Sequence, residues 1–108
     1  MTYTTEDLYK AILITAVEGG TGYWAQVSGY KPDECRATLH EIEGGDIHTV
    51  NAEVIKRGIE EIAEGGIVNS AITDTCRMRE PERLALNADA EVADCIVQVG
   101  LFGNLIYG

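Results

Sequence analysis

The sequence predicts an α+β fold, a single domain over residues 1–108, with an antiparallel three-stranded meander, helices on one face and a short C-terminal strand. Three observations predict it. Apolar residues recur at helical spacing at the start of the chain and through its second half. Between these segments, from Tyr23 to Val50, aromatic and β-branched residues take over with a two-residue alternation. Glycine pairs stand where one pattern gives way to the next, at Gly19-Gly20, Gly44-Gly45 and Gly65-Gly66. The predicted order is α, β, β, β, α, α, α, β. Three consecutive strands without a long crossover pair antiparallel, and the helices must cover one face of them.

The first helix is expected over Thr5–Glu18. Thr4 and Thr5 offer a hydroxyl cap and Glu6 and Asp7 follow at once. Leu8, Ala11, Ile12, Thr15 and Ala16 form its inner stripe, and Gly19 suits a left-handed C-terminal cap. Tyr23–Ser28 reads as a strand, with Tyr23, Ala25 and Val27 on one side and Trp24, Gln26 and Ser28 on the other. Tyr30, Lys31, Pro32 and Asp33 turn the chain. Cys35–Glu43 and Ile47–Val50 then make a hairpin about Gly44-Gly45.

Asn51 caps a second helix whose inner stripe is Val54, Ile55, Ile59 and Ile62 and whose end is Gly65-Gly66. A third helix opens at Asn69 or Ser70 and runs to about Met78, and Pro81 breaks or restarts it. A fourth pattern starts at Asp89, carries Val92, Ala93, Ile96 and Val97, and stops at Gly103. Leu105, Ile106 and Tyr107 read as the last strand, joined to a sheet edge.

Composition narrows function. Eighteen acidic against eight basic residues give a net charge of −10, spread along the chain without an acidic tail or a basic cluster. Direct nucleic-acid binding needs clustered Lys and Arg, so it is not expected, and neither is binding to an anionic membrane. A spread negative field serves solubility, and it also suits a basic protein partner. Cys35, Cys76 and Cys95 are odd in number and widely spaced, which predicts neither a disulfide framework nor a zinc site. The acidic opening MTYTTED lacks the plan of a secretory signal, and the apolar run Ala11–Val17 is too short to cross a bilayer. A cytoplasmic protein with reduced thiols is expected. A chain this short buries about two-thirds of its unfolded surface, so a homo-oligomer is compatible with its size.

The candidate binding residues lie in EGGTGYW: Glu18, Gly20, Thr21, Gly22, Tyr23 and Trp24. EGG occurs three times, and each copy is explained as a chain corner by the backbone freedom of glycine. A corner needs one glycine, whereas this stretch has three beside two large aromatics. Gly20 and Gly22 would let a ligand or partner backbone come close to Tyr23 and Trp24. The stretch is not a phosphate loop, because a helix precedes it and so presents its negative end.

No catalytic residue, metal site or cofactor is predicted. Folding the hairpin about Gly44-Gly45 sets Glu41 opposite His48 and His40 opposite Thr49. The two histidines then fall on opposite faces and cannot share a metal, while Glu41 and His48 form a cross-strand pair. Cys76 and Cys95 read as small core residues. Asp89, Glu91 and Asp94 read as carboxylates at a helix start.

TAVEGGTGYWAQV (Thr15–Val27) and ADCIVQVGLFGNLIYG (Ala93–Gly108) resemble small proteins encoded by bacteriophages, especially phages of actinobacteria. Those proteins share an EGG-then-YW signature, a middle segment like EVIKRGI (Glu53–Ile59) and a closing FG-then-YG. The likeness covers nearly the whole chain, with a short loop at Tyr30–Glu34 where such proteins carry longer insertions. The matching positions are Glu18, Gly19, Gly20, Tyr23 and Trp24, then Gln98, Phe102, Gly103, Tyr107 and Gly108. The resemblance implies a phage origin and the host cytoplasm, and assigns no activity.

The function expected is therefore that of a non-enzymatic phage accessory protein that binds a host protein. A basic, nucleic-acid-binding or defence protein is the partner type that the charge favours. One alternative is a small-ligand binder that sequesters a nucleotide signal between protomers. It would stack the base on Tyr23 or Trp24 and line the site with Arg36, Lys56 or Arg57. The other is a minor virion assembly component.

Overall fold

The computed structural model describes residues 2–108. Its elements are α1 (Thr5–Thr15), β1 (Ala25–Lys31), β2 (Arg36–Glu41), β3 (Ile47–Val50), α2 (Ala52–Glu64), α3 (Ser70–Cys76), α4 (Pro81–Asn87) and α5 (Ala90–Phe102). The α+β class and the antiparallel meander in the order β1-β2-β3 match expectation. Two features of the predicted order do not. Pro81 starts a separate helix, so four helices follow the sheet, and the segment after Gly103 forms no fourth strand.

Local chemistry explains most boundaries. The Thr4 hydroxyl accepts from the Asp7 N–H at 3.1 Å and the Asp7 carboxylate accepts from the Thr4 N–H at 2.9 Å, a reciprocal cap on α1. Asn51, Asn69 and Asp89 cap α2, α3 and α5 by accepting from the amide three residues on. Gly103 ends α5 with φ of 77°.

Gly19 is not a left-handed cap. The chain runs from α1 into a single π-type turn, Ala16–Gly20, closed by Thr21 N–H donating to Ala16 O at 2.9 Å. The reason lies in packing. A Cβ on Gly20 would sit 2.7 Å from the Ala90 carbonyl oxygen and 3.2 Å from the Asp94 Cβ. Glycine here brings the turn against the start of α5.

The β2–β3 pairing is displaced by two residues from the expected one. His40 faces Ile47 and Leu39 faces His48, because four residues, Ile42–Gly45, form the loop. The Glu41 N–H donates to Asp46 O at 2.8 Å and Gly45 takes φ of 71°. A slide of two preserves sidedness. His40 and His48 remain on opposite faces, and Glu41 reaches His48 diagonally, at 2.6 Å.

Helix α5 forms the centre. Every residue from Val92 to Gly100 is buried, as expected of a helix that is apolar nearly all round. Helix α2 crosses it antiparallel at very short range. A Cβ on Gly58 would lie 2.1 Å from the Ile96 carbonyl oxygen, and one on Gly100 would lie 2.1 Å from that of Val54. The two glycines let the backbones meet, and the Arg57 guanidinium donates twice to Gly100 O, at 2.9 and 2.7 Å. Ile55, Ile62, Ile96, Val97 and Val99 fill this seam, with Ile12 and Leu13 of α1 and Leu39 and Val50 of the sheet completing the core.

Candidate functional site

Helix α5 carries two polar side chains through its apolar length, Asp94 and Gln98, one turn apart. Asp94 is 7% exposed and Gln98 is fully buried. Burying them without partners would be costly, so their contacts define a site.

The π-type turn delivers the partners. After Gly20 seats against α5, the chain places Tyr23 and Trp24 over Asp94. The Trp24 indole N–H donates to Asp94 Oδ1 at 2.8 Å and the Tyr23 hydroxyl donates to Asp94 Oδ2 at 2.6 Å. The Gln98 amide donates to both carboxylate oxygens, at 3.1 and 3.2 Å. Three donors thus converge on one buried carboxylate. Burial, and then Asp94, push the Tyr23 hydroxyl up to about 12, which keeps it a donor through neutral pH.

The other end of Gln98 holds the C-terminal tail. Its Oε1 accepts from the Ile106 and Tyr107 N–H groups at 3.0 and 2.9 Å, and its Nε2 donates to Tyr107 O at 3.3 Å. This replaces the predicted last strand. The tail obtains its hydrogen bonds from a side-chain amide instead of a sheet edge, and the pattern Leu105-Ile106-Tyr107 cannot distinguish the two.

Held this way, the Tyr107 ring stacks on Trp24 with centroids 5.0 Å apart and planes 8° from parallel. Phe102 meets Trp24 edge-on at 5.9 Å and His48 at 5.1 Å. The Tyr107 hydroxyl donates to Glu41 Oε1, and the other oxygen of Glu41 pairs with His48. The bonds from His48 and Tyr107 hold the Glu41 carboxyl below its ordinary range. Donation to Glu41, with burial, pushes the Tyr107 hydroxyl up to about 12.

The predicted site residues divide on this frame. Trp24 and Thr21 are buried, so Trp24 is not the exposed aromatic expected of a contact residue, and the indole face is covered by Tyr107. Gly20 is packed on α5, while Gly22 has open space around its Cα. Glu18 is exposed and accepts from the Tyr30 hydroxyl at 3.3 Å. Tyr23 is 55% exposed and remains open to a partner. Of the basic residues named for a nucleotide site, Lys56 is exposed on α2. Arg36 pairs with Glu34 at the far end of β1, and Arg57 is engaged with Gly100.

Asp94 does not cap its helix; Asp89 does. The signal that identifies Asp94 and Gln98 is their spacing, i and i+4 within the apolar run Ala93–Phe102, where polar side chains need partners. Tyr23, Trp24, Gln98, Phe102 and Tyr107, all quoted for the phage resemblance, meet here although they lie far apart in sequence. Gly108 joins them, since a Cβ there would be 3.0 Å from the Tyr23 hydroxyl.

Ile42 opens the hairpin loop, beside Glu43, and is 52% exposed. Ile47 is exposed too, but it pairs with His40 on the sheet face opposite Glu41 and His48. Tyr23, Ile42 and Ile106 each adjoin in sequence a residue tied to the cluster, Trp24, Glu41 and Tyr107. The Ile42 N–H also donates to Trp24 O at 2.9 Å. Two clefts, of about 290 and 550 Å³, open on α1 around Lys10, and neither is lined by residues of EGGTGYW. Among the described residues, no group of three or more His, Cys, Asp or Glu is placed to hold a metal ion, and no helix is long and apolar enough to cross a membrane.

No protein-family profile matches this chain, and no curated protein or solved structure matches it.

Proposed function

We propose that this chain is a non-enzymatic phage accessory protein that binds a basic protein in the host cytoplasm, of the nucleic-acid-binding or defence type. The contact is made by the end of the molecule where the hairpin loop and the C-terminal tail meet. The observation that carries this reading is the presence of exposed Tyr23, Ile42 and Ile106, with Glu43 and Asp46, beside the aromatic cluster. Exposed apolar side chains supply contact area, and the carboxylates steer and select a cationic surface. The hydrogen bond from the Ile42 N–H to Trp24 O and the Glu41–His48 pair fix the hairpin loop beforehand, which lowers the ordering cost of association.

Affinity capture from host lysate tests it, comparing the wild-type chain with a Glu43→Lys/Asp46→Lys variant. The expected result is a basic protein retained at low salt, weakened as salt rises and lost with the variant. Equal recovery by both chains would put the contact elsewhere, and no recovery at low salt would remove the reading.

A further inference from the structure

Tyr107 sits where a ligand would sit. Its ring lies flat on Trp24, bounded edge-on by Phe102 at 6.4 Å. Its hydroxyl meets a carboxylate, Glu41, that is oriented from behind by His48. Its backbone N–H and C=O are both read by the Gln98 amide. Flat wall, edge wall, acceptor for a phenol and a reader of peptide backbone together form a receptor for a tyrosine in an extended segment.

The occupant is poorly anchored by other means. Beyond Gly103, the tail makes no backbone-to-backbone hydrogen bond among the described residues. Leu105 and Ile106 are exposed, and Gly103 in the left-handed region provides the corner from which the tail departs. Most of the wall contacts are independent of the tail. Trp24 is held by Asp94 and by the hydrogen bond from Ile42, Glu41 by the hairpin and His48, Phe102 by α5, and the Gln98 Nε2 by Asp94 and Tyr23. The Gln98 Oε1 accepts from the tail amides and is the group freed to read an incoming backbone.

We infer that the slot formed by Trp24, Phe102, Glu41 and Gln98 is a recognition site for a tyrosine-containing, basic peptide segment of a partner, and that Tyr107 occupies it in cis as a displaceable plug. This rests on the proposed function and names the chemistry at its centre. The surroundings set the charge preference. Glu43 and Asp46 stand beside Glu41 and act on the Tyr107 hydroxyl, so lysines flanking the tyrosine are favoured and a phosphate is not. A slot occupied in cis binds a partner with an affinity reduced by the fraction of molecules in which it is open.

The test uses a lysine-flanked Leu-Ile-Tyr-Gly peptide, the same peptide with alanine for tyrosine, and guanosine. Each is titrated into the full-length wild-type chain and into Tyr107→Ala, reading the emission of Trp24, the only tryptophan. The expected result is saturable binding of the tyrosine peptide to Tyr107→Ala, about tenfold or more tighter than to wild type because the plug is gone. Adding Glu41→Gln to Tyr107→Ala should weaken binding at least about fivefold by replacing the charged acceptor.

Four outcomes overturn the inference: equal binding of the alanine peptide, tighter binding of guanosine, equal affinity for wild type and Tyr107→Ala, or no saturable signal with a Tyr107→Ala chain of native circular dichroism. Should that variant not fold, the wild-type chain decides by NMR. Millimolar tyrosine peptide should shift the Trp24 indole and the Ile106 and Tyr107 amide resonances together, and unmoved resonances overturn the proposal. Capture of a basic host protein without tyrosine-peptide binding would leave the proposed function standing and remove only the slot. Peptide binding without capture would do the reverse.

Discussion

Replacing Asp94 by alanine removes the one acceptor on which Trp24, Tyr23 and Gln98 converge. The consequences differ by donor. The Tyr23 hydroxyl keeps its bond from the Gln98 amide, at 3.1 Å. Gln98 keeps the Tyr107 carbonyl and the Tyr23 hydroxyl as partners. The Trp24 N–H is buried, with Asp94 as its partner among the described residues. An orphaned buried donor costs about 1–3 kcal/mol, and each hydrogen bond to a charged group contributes about 1.5–3 kcal/mol. Removing a buried carboxylate also relieves its desolvation, which offsets part of that sum. The expected net loss is about 2–4 kcal/mol for Asp94→Ala, and about 1–2 kcal/mol for Asp94→Asn, which keeps one acceptor oxygen. Domains of this kind have about 5–15 kcal/mol in all, so the alanine variant should be visibly weakened. Urea unfolding followed by Trp24 emission measures it, with an unchanged slope showing that stability alone has moved. A loss below about 1 kcal/mol, the level of an ordinary substitution, would refute the claim that this carboxylate organises the site.

Gly58→Ala and Gly100→Ala should each destabilise by about 3 kcal/mol or more, because the added Cβ meets backbone 2.1 Å away, while Gly22→Ala should be near neutral; thermal melts of the three variants rank them. Acid should loosen the tail. Glu41 titrates lower in the folded chain than its ordinary 4.5, so its contribution is present above that pH and is lost as pH falls through the folded value. Trp24 emission should therefore change in that acid window, and an unchanged spectrum down to global unfolding would contradict it. Tyr23 and Tyr107, raised from 10.0 to about 12, contribute stability that is intact below pH 10 and is lost between 10 and 12; tyrosinate absorbance should show these two ionising last. Burial pushes the Cys76 and Cys95 thiols up to about 12 and 11, so a thiol reagent should leave them unreacted in the native chain and label them in denaturant.

The sequence conveyed what local chemistry decides. The caps at Thr4, Asn51 and Asp89 and the stop at Gly103 were readable from single residues. The separation of His40 from His48 was readable from strand parity even though the register was off by two. What long-range packing decides was not readable. Gly20, Gly58 and Gly100 serve close approach between segments distant in sequence, and spacing alone cannot reveal the segment that arrives. The predicted last strand failed for a related reason: a buried amide at Gln98 took the place of a strand edge. EGGTGYW stands out in the sequence for three glycines beside two large aromatics. Its aromatics, however, are committed first to Asp94 and Tyr107, and only Tyr23 keeps much of its surface free.

The central claim is that partners meet this protein where the tail lies over Trp24. The most direct measurement is Trp24 emission while a captured basic partner, free of tryptophan or with its own signal subtracted, is titrated into the full-length chain. The account predicts a saturable change whose midpoint agrees with the affinity found by calorimetry and moves to higher concentration as salt is added. Calorimetric binding that leaves Trp24 emission unaltered would place the contact on another face and contradict it.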